Sequence, residues 1–315
     1  MDDLNTFLTT LYVLVDDYIK SLPPSRALPG PAPALSRSEA VCLGLVSQWS
    51  RFRSERDFYR YATRCLRVYF PSLPHRTQFN RQQRTLDQVL AGFALWVAGQ
   101  LGPGGPYEAV DGTAARTRDL KRRGHGWLVG VANVGHSGRL GWYCGFHVLA
   151  AATPAGVLTG WAFAPASIKD TTLLEQFVAA RWVQPAGLPS VGQPAAVCYL
   201  GDRGFDGRHY HARLRELYGA VVVAPPRRKA NSSADADQPQ AWSKALYRQH
   251  AGWRQIIETV FGKLQHVFRL DTDRAHELSG FACRLAAKVA MHNAAILLNR
   301  LAGRPGLAFA DLLPW

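Results

Sequence analysis

The sequence predicts a mixed α/β region preceded by an all-helical region, and three observations lead to this class. Apolar residues up to position 106 recur with helical spacing and form no extended runs. After the segment GPGGP at 102–106, short β-rich apolar runs alternate with helical segments. Of the 315 residues, 47% are hydrophobic and 19% charged, which is typical of a globular protein. We therefore predict two domains, with the boundary after residue 106.

The N-terminal region is predicted to contain four helices. Apolar residues at intervals of three and four over 4–19 indicate an amphipathic first helix. A second helix follows a Pro-rich linker, because Ser36 and Glu39 have the spacing of a capping box. Two further helices are predicted at Arg56–Phe70 and Arg76–Gln100, since two prolines separate them.

Arginine is in large excess over acidic residues in residues 51–84, which contain nine arginines and two carboxylates. The whole chain carries 37 Lys and Arg against 23 Asp and Glu, a formal net charge of +14. Such an excess favours binding to polyanions such as nucleic acid, although a solvated helix face is the alternative. We predict that the N-terminal region binds DNA, with contacts that include Arg76, Arg81 and Arg84.

Residues 107–301 are predicted to form a mixed sheet flanked by helices. The stretch Leu140–Ile168 has no charged side chain and could span a bilayer, but the turn signal at 153–156 favours two strands. A polar loop is expected near 225–243 and a C-terminal tail at 302–315. The predicted strands are Tyr107–Thr113, Trp142–Ala152, Val157–Ala164, Ala196–Leu200 and Ala220–Ala224, and the predicted helices are Thr171–Trp182, Gly207–Leu217, Lys244–Phe268 and His276–Leu301.

Three acidic residues are candidates for catalysis. Asp111, in EAVDGT, and Asp202, in LGDRGFDG, end two predicted strands, where ligands bind in many α/β sheets. Glu258, in RQIIETVFGKL, lies on a later apolar helix. For an Asp beside Gly the alternative is a turn or a helix cap. For Glu258 the alternative is pairing with Lys263 or Arg254 on a solvated face.

Convergence of three carboxylates requires a cation, because their charges repel. Ligand sets made only of oxygen suit Mg²⁺ or Mn²⁺. Two such ions can hold a phosphodiester and stabilise both the attacking and the leaving oxygen. A basic protein with this acidic triad is therefore predicted to act on DNA phosphodiesters with two metal ions.

The order Asp, Asp, Glu in these contexts resembles the DDE transposases of bacterial insertion sequences over about residues 107–300. The run YCGFHVLAAATPAGVLTGWAFAPASIKDTTLLEQF is similar to the second and third strands and the following helix of that family. The resemblance implies a ribonuclease H-like catalytic domain. It also implies that Asp111, Asp202 and Glu258 are the catalytic residues and hold two Mg²⁺ (or Mn²⁺) ions.

The resemblance extends to basic residues around the triad. Arg254 matches the arginine of the family signature Tyr-x2-Arg-x3-Glu-x6-Lys, but Ala251 and Gln265 stand where Tyr and Lys would be. Lys263 could substitute for that lysine, and His147 replaces a strand lysine of relatives. Five basic residues after the first Asp are expected to contact phosphates, with an exposed loop as the alternative; they are Arg116, Arg118, Lys121, Arg122 and Arg123.

The function implied by the resemblance is DNA transposition. Such a protein binds terminal inverted repeats, hydrolyses the phosphodiester at each 3′ end of the element and joins the 3′-hydroxyl to target DNA, as a homodimer on DNA. The alternatives are a nuclease of the same fold that does not join strands, and a non-catalytic DNA-binding protein derived from a transposase. Five scattered cysteines and the lack of a signal-peptide pattern lead us to expect a cytoplasmic protein that is not membrane-bound.

Overall fold

The computed structural model describes residues 3–24, 32–102, 104–118, 120, 128–182, 198–227, 242–310 and 312–313. Its helices are α1 Leu4–Ser21, α2 Arg37–Val46, α3 Glu55–Tyr61, α4 Arg76–Arg84, α5 Asp87–Gln100, α6 Asp170–Trp182, α7 Arg208–Tyr218, α8 Lys244–His266 and α9 Leu278–Leu301. Its strands are β1 Tyr107–Arg118, β2 Asn133–Ser137, β3 Gly141–Ala152, β4 Leu158–Pro165, β5 Cys198–Leu200 and β6 Val221–Val223.

Packing divides the chain into two compact units. The helical unit comprises Met1–Gly102, Gly126–Leu128 and Lys263–Trp315, and the α/β unit comprises Pro103–His125 and Val129–Gly262. The C-terminal segment thus packs with the N-terminal helices, whereas the sequence placed residues up to 301 in the catalytic domain. The functional division into a DNA-binding region and a catalytic domain stays a prediction.

Helices of the helical unit form where apolar spacing and capping residues predict them. Helix α1 buries Phe7, Leu11 and Val15, which lie on one face at intervals of four. The capping box that starts α2 is confirmed: the Ser36 hydroxyl accepts from the Glu39 backbone N–H, and the Glu39 carboxylate accepts from the Ser36 backbone N–H. These local features fix where both helices begin.

Two predicted helices of this unit are corrected. The predicted helix Arg76–Gln100 is two helices, α4 and α5, because the Thr85 hydroxyl donates to the Gln82 carbonyl and Leu86 leaves the helical backbone conformation. The predicted helix Arg56–Phe70 is α3 followed by a π-helical turn, Ala62–Leu66. Apolar spacing alone does not reveal either break.

Helix α9 forms much of the core of the helical unit. It packs along α5, and the Asn293 side chain donates to the Ala94 carbonyl over 3.0 Å. Among the described residues it is the one helix long and apolar enough to cross a membrane, and 83% of its most apolar stretch is buried. Such burial is typical of the core helix of a water-soluble protein.

The α/β unit is built on a six-stranded mixed sheet in the order β2-β3-β1-β5-β6, with β4 also paired to β3. Strand β3 is antiparallel to β1, β2 and β4, whereas β1, β5 and β6 are parallel. One sheet face packs on α6 and α7 through a core that includes Val110, Leu149, Phe177 and Leu214. This mixed sheet flanked by helices confirms the predicted α/β class and is consistent with a ribonuclease H-like fold.

The uncharged stretch Leu140–Ile168 forms β3 and β4, which confirms the prediction of two strands. Two other strand predictions are corrected. Strand β2 was not predicted, because its sequence NVGHS lacks an apolar alternation. Strand β1 continues to Arg118 instead of ending at Thr113, because pairing with β3 satisfies its backbone despite the polar side chains. The predicted loop at 225–243 lies mostly outside the described residues.

Candidate active site

The sheet places two carboxylates side by side. Strands β1 and β5 are parallel, with Ala109 opposite Leu200. Two residues further along each chain come Asp111 and Asp202, so both lie on the same side of neighbouring strands. Asp202 is close enough that its charge raises the pKa of Asp111.

Helix α8 supplies a cation and the third carboxylate. The Arg254 guanidinium donates from Nη2 to Asp111 Oδ2 over 2.6 Å and from Nη1 to Glu258 Oε1 over 3.2 Å. The side chain of Glu258 is 60% exposed, while those of Arg254 and Asp111 are mostly buried. Since Arg254 and Glu258 are four residues apart, one helical turn presents both to the sheet.

All three acids act on this one guanidinium. Burial lowers the pKa of Arg254, but the charges of Asp111, Asp202 and Glu258 outweigh it, so the pKa is raised above its ordinary value. Arg254 is therefore hydrogen-bonded to two of the three predicted acids, and the charge of the third, Asp202, also acts on it.

Asp111 is an unusual carboxylate. Burial raises its pKa to about 6, and the neighbouring Asp202 adds to this, while Arg254 and the Gly112 backbone N–H oppose it. The ionised form is therefore costly at this position even with Arg254 beside it. A further positive charge near Asp111 would relieve that cost.

A second polar pair supports the backbone next to Asp111. His147 Nε2 on β3 lies 2.8 Å from Asp170 Oδ1 at the start of α6. A Cβ atom added at Gly112 would overlap both atoms, so a larger residue here would displace this pair. Sequence reasoning did not identify Asp170 as part of the site; its proximity to His147 depends on the docking of α6 on the sheet.

The structural roles considered as alternatives from the sequence are present as well. Asp202 Oδ1 accepts from the Gly204 backbone N–H over 2.7 Å and caps the short helical turn Arg203–Phe205. Glu258 pairs with Arg254 on the same helix. These contacts are compatible with a shared site. Arg254, which binds Glu258, also binds Asp111.

Comparison with known protein families agrees with this geometry. The family described as Transposase DDE domain matches residues 108–294, more than half of the chain. The chain belongs to the DDE transposase family. No curated protein and no solved structure matches it. The matched range contains Asp111, Asp202 and Glu258.

Enzymes of this transposase family generally use divalent metal ions, and the donor chemistry here suits them. Three carboxylates offer only oxygen ligands, which Mg²⁺ and Mn²⁺ prefer. Within the described part of the chain, however, no three His, Cys, Asp or Glu side chains are arranged to hold a metal ion. Two of the three carboxylates are instead bound by Arg254. The ligand types therefore fit a divalent metal ion, but their arrangement is that of an arginine-bound site.

The predicted DNA contacts lie in several parts of the chain. Arg254 lies among the acids as described. Lys263 belongs to the helical unit, where its ammonium lies 5.7 Å from the centre of the Phe309 ring. Arg116 and Arg118 lie within β1 and are half-buried, so they do not form the exposed loop considered from the sequence.

The remaining predicted contacts lie on α4 or beyond the described residues. Arg76 and Arg81 are exposed on α4, and Arg84 pairs with Glu277 over 2.9 Å. Lys121, Arg122 and Arg123 lie outside the described residues.

Proposed function

We propose that this transposase binds the terminal inverted repeats of its element, cleaves the phosphodiester at each 3′ end and transfers the freed 3′-hydroxyl to target DNA. The observation that supports this most is the pairing of Arg254 with both Asp111 and Glu258, beside Asp202, which follows the neighbouring strand β5. Asp111 and Glu258, which are far apart in sequence, are brought to one guanidinium beside the sheet. Such convergence suits phosphodiester chemistry assisted by cations.

Both chemical steps are substitutions at phosphorus. In the first, the oxygen of water bonds to phosphorus and the P–O3′ bond breaks, which leaves a 3′-hydroxyl on the element and a 5′-phosphate on the flanking strand. In the second, that 3′-hydroxyl attacks a phosphodiester of target DNA, and the target P–O3′ bond breaks. Neither step requires a covalent enzyme intermediate or an external energy source.

Asp111, Asp202 and Glu258 would hold two Mg²⁺ or Mn²⁺ ions. Bound metal ions supply activation of the attacking oxygen and stabilisation of the leaving oxygen. For the acids to serve as ligands, Arg254 must release Asp111 and Glu258. The released guanidinium is then free to pair with a phosphate of the DNA, which it can bind with two parallel hydrogen bonds.

Assembly follows from the same chemistry. Two element ends must be cut and each joined to target DNA, so we propose that the protein acts as a homodimer on DNA in the cytoplasm. The excess of positive charge supplies attraction to both repeat and target DNA. Arg76, Arg81, Arg84, Arg116, Arg118, Lys121, Arg122, Arg123 and Lys263 are the proposed further contacts.

The test is cleavage of a labelled duplex that carries the terminal sequence flanking the gene, in Mg²⁺ or Mn²⁺. We expect Asp111→Asn and Glu258→Gln to reduce cleavage by more than about 100-fold. Removing a residue that only hydrogen-bonds to a metal ligand costs about 10- to 100-fold, and removing the ligand itself should cost at least as much. Glu216→Gln, which removes an exposed carboxylate on α7, is the matched control and should cleave normally.

Three outcomes would contradict the proposal or narrow it. Cleavage that survives both acid substitutions would contradict the site. Cleavage without any joined product would indicate a nuclease of the same fold. Specific binding to the repeat without cleavage by the unaltered protein would indicate a non-catalytic DNA-binding role.

A further inference from the structure

A cleft of about 490 Å³ opens in the helical unit among α3, α4 and α9. Its size is within the range of small-molecule binding sites. Eight arginine and lysine side chains line it, against two carboxylates, Glu55 and Asp273. The lining therefore carries a large excess of positive charge, and it combines residues from both ends of the chain.

The floor of the cleft is a buried network in which one carboxylate serves two cations. Asp273 Oδ1 accepts from Arg284 over 2.8 Å, and Asp273 Oδ2 lies 3.7 Å from Lys288 Nζ. Lys288 also donates to Gln48 Oε1 over 2.8 Å. Asp273 and Lys288 are both nearly inaccessible to solvent. Two cations thus share Asp273, and the second carboxylate, Glu55, lies 3.9 Å from Arg284.

The rim of the cleft adds four exposed arginines. They come from α3, α4 and the segments beside them, and among the described residues no hydrogen bond or ion pair holds any of their guanidinium groups; they are Arg53, Arg56, Arg76 and Arg274. Exposed guanidinium groups without an acidic partner are suited to paired hydrogen bonds with phosphate oxygens.

The same lining disfavours recognition of unpaired bases. Binding of single strands usually depends on aromatic rings that stack on bases. The two phenylalanines of the cleft, Phe52 and Phe79, are 6% and 1% exposed, so neither offers a ring face, and the exposed His276 is the remaining aromatic ring of the lining. The chemistry of the cleft therefore favours the sugar-phosphate backbone of a duplex.

We propose that this cleft binds phosphates of duplex DNA, with Arg53, Arg56, Arg76 and Arg274 as the contacting groups. The proposal rests on the proposed transposase function and deepens it, because it assigns a DNA-binding site within the helical unit. It adds Arg274, from the C-terminal part of the chain, to the N-terminal arginines. The buried Asp273 and Lys288, with the partly exposed Arg284, position the rim and do not themselves contact DNA.

The test measures binding without catalysis. The full-length protein is titrated with a fluorescent duplex carrying the terminal sequence, in EDTA and over a range of KCl concentrations. Arg56→Gln/Arg274→Gln removes one rim contact from each part of the chain. Arg37→Gln/Arg215→Gln removes the same charge from two exposed arginines outside the cleft.

We expect the cleft variant to bind about 10- to 100-fold more weakly, and the slope of log K against log salt to fall in magnitude by about 2, since each phosphate contact contributes about 0.9. The control pair should retain most of the slope. Equal changes in the two variants, a loss confined to single-stranded DNA, or no duplex binding by the unaltered protein would overturn the proposal.

This experiment is independent of the cleavage test. The cleft variant keeps Asp111, Asp202 and Glu258, and EDTA removes any contribution from metal ions. A protein that cleaves normally but shows no change in salt slope would exclude the cleft alone. A protein with the expected salt slope but no cleavage would exclude the catalytic proposal alone.

Discussion

The two units of this transposase each hold buried charges, but with opposite excess. In the α/β unit, Asp111 and Glu258 share one guanidinium, that of Arg254, and the charge of Asp202 acts on it from nearby. In the helical unit, Arg284 and Lys288 share Asp273. In each cluster one side chain, Arg254 or Asp273, pairs with two groups of opposite charge. The remaining excess charge is negative in the α/β unit and positive in the helical unit, and a ligand of opposite sign would neutralise it.

Burial shifts a pKa in both clusters for the same reason, but in opposite directions. It raises the pKa of Asp111 to about 6 and lowers the pKa of Lys288 to about 8, because in both cases the charged form loses its hydration. The acid cluster therefore favours added cations, and the basic cleft favours added anions. Together they suit a protein that binds DNA and cuts it with metal ions.

The largest effect that would test this comparison is on stability. Asp273→Asn leaves the buried Lys288 without its carboxylate and Arg284 with Glu55 alone, so we expect the free energy of unfolding to fall by about 1–3 kcal/mol. Asp111→Asn should cost about 1 kcal/mol or less, because Arg254 keeps Glu258 and a costly buried charge is removed. Urea denaturation of both variants measures the difference, and equal losses would contradict the contrast between the clusters.

A second effect concerns the pH dependence of stability. Between about pH 8 and 10.5 the unfolded chain keeps the proton that folded Lys288 has lost, so raising the pH through this window should stabilise the protein by about 1–3 kcal/mol. Lys288→Met should lack this contribution. The difference in unfolding free energy between the two proteins, measured across the window, isolates it from other groups that titrate there. A difference that does not vary with pH would show that Lys288 titrates normally.

The smallest effect concerns the pH dependence of metal binding at the acid cluster. Metal ions require ionised Asp111, so Mn²⁺ affinity should fall about tenfold per pH unit below about pH 6. Arg254 lowers the pKa of Asp111, so in Arg254→Gln the fall should begin at higher pH. Calorimetric titration with Mn²⁺ in the absence of DNA measures both, with Glu216→Gln as the control. An affinity that is constant from pH 7 to pH 5 would contradict the role of Asp111.

Much of the fold could be predicted because it depends on local patterns. The Ser36–Glu39 capping box, the turn between β3 and β4, and the apolar helix α8 all arise from residues that are close together in the sequence. The missed strand β2 has no such pattern, since it forms only because β3 offers an edge for it. The break after Arg84 falls where Thr85 bonds to the Gln82 carbonyl and Leu86 leaves the helical conformation, which apolar spacing does not encode.

The candidate site was predicted in part. Asp111, Asp202 and Glu258 could be selected because the sequence predicted two strand ends and an apolar helix for them. The strand-end position is wrong for Asp111, which lies within β1 because pairing with β3 continues to Arg118. Their assignment as metal ligands stays a proposal. The contact between Arg254 and Asp111 joins residues 143 positions apart, and the support from Asp170 depends on the docking of α6. Neither could be inferred from spacing along the chain.

The sequence by itself determined most helices and strands, the charge excess and the three candidate acids, because periodicity, turn residues and composition act locally. Only the tertiary structure decided that one arginine binds two of those acids, and that the C-terminal helix α9 packs with the N-terminal helices. The physical reason is that burial and pairing of charges depend on which distant segments meet. That choice is made by the packing of the whole core, not by any one segment.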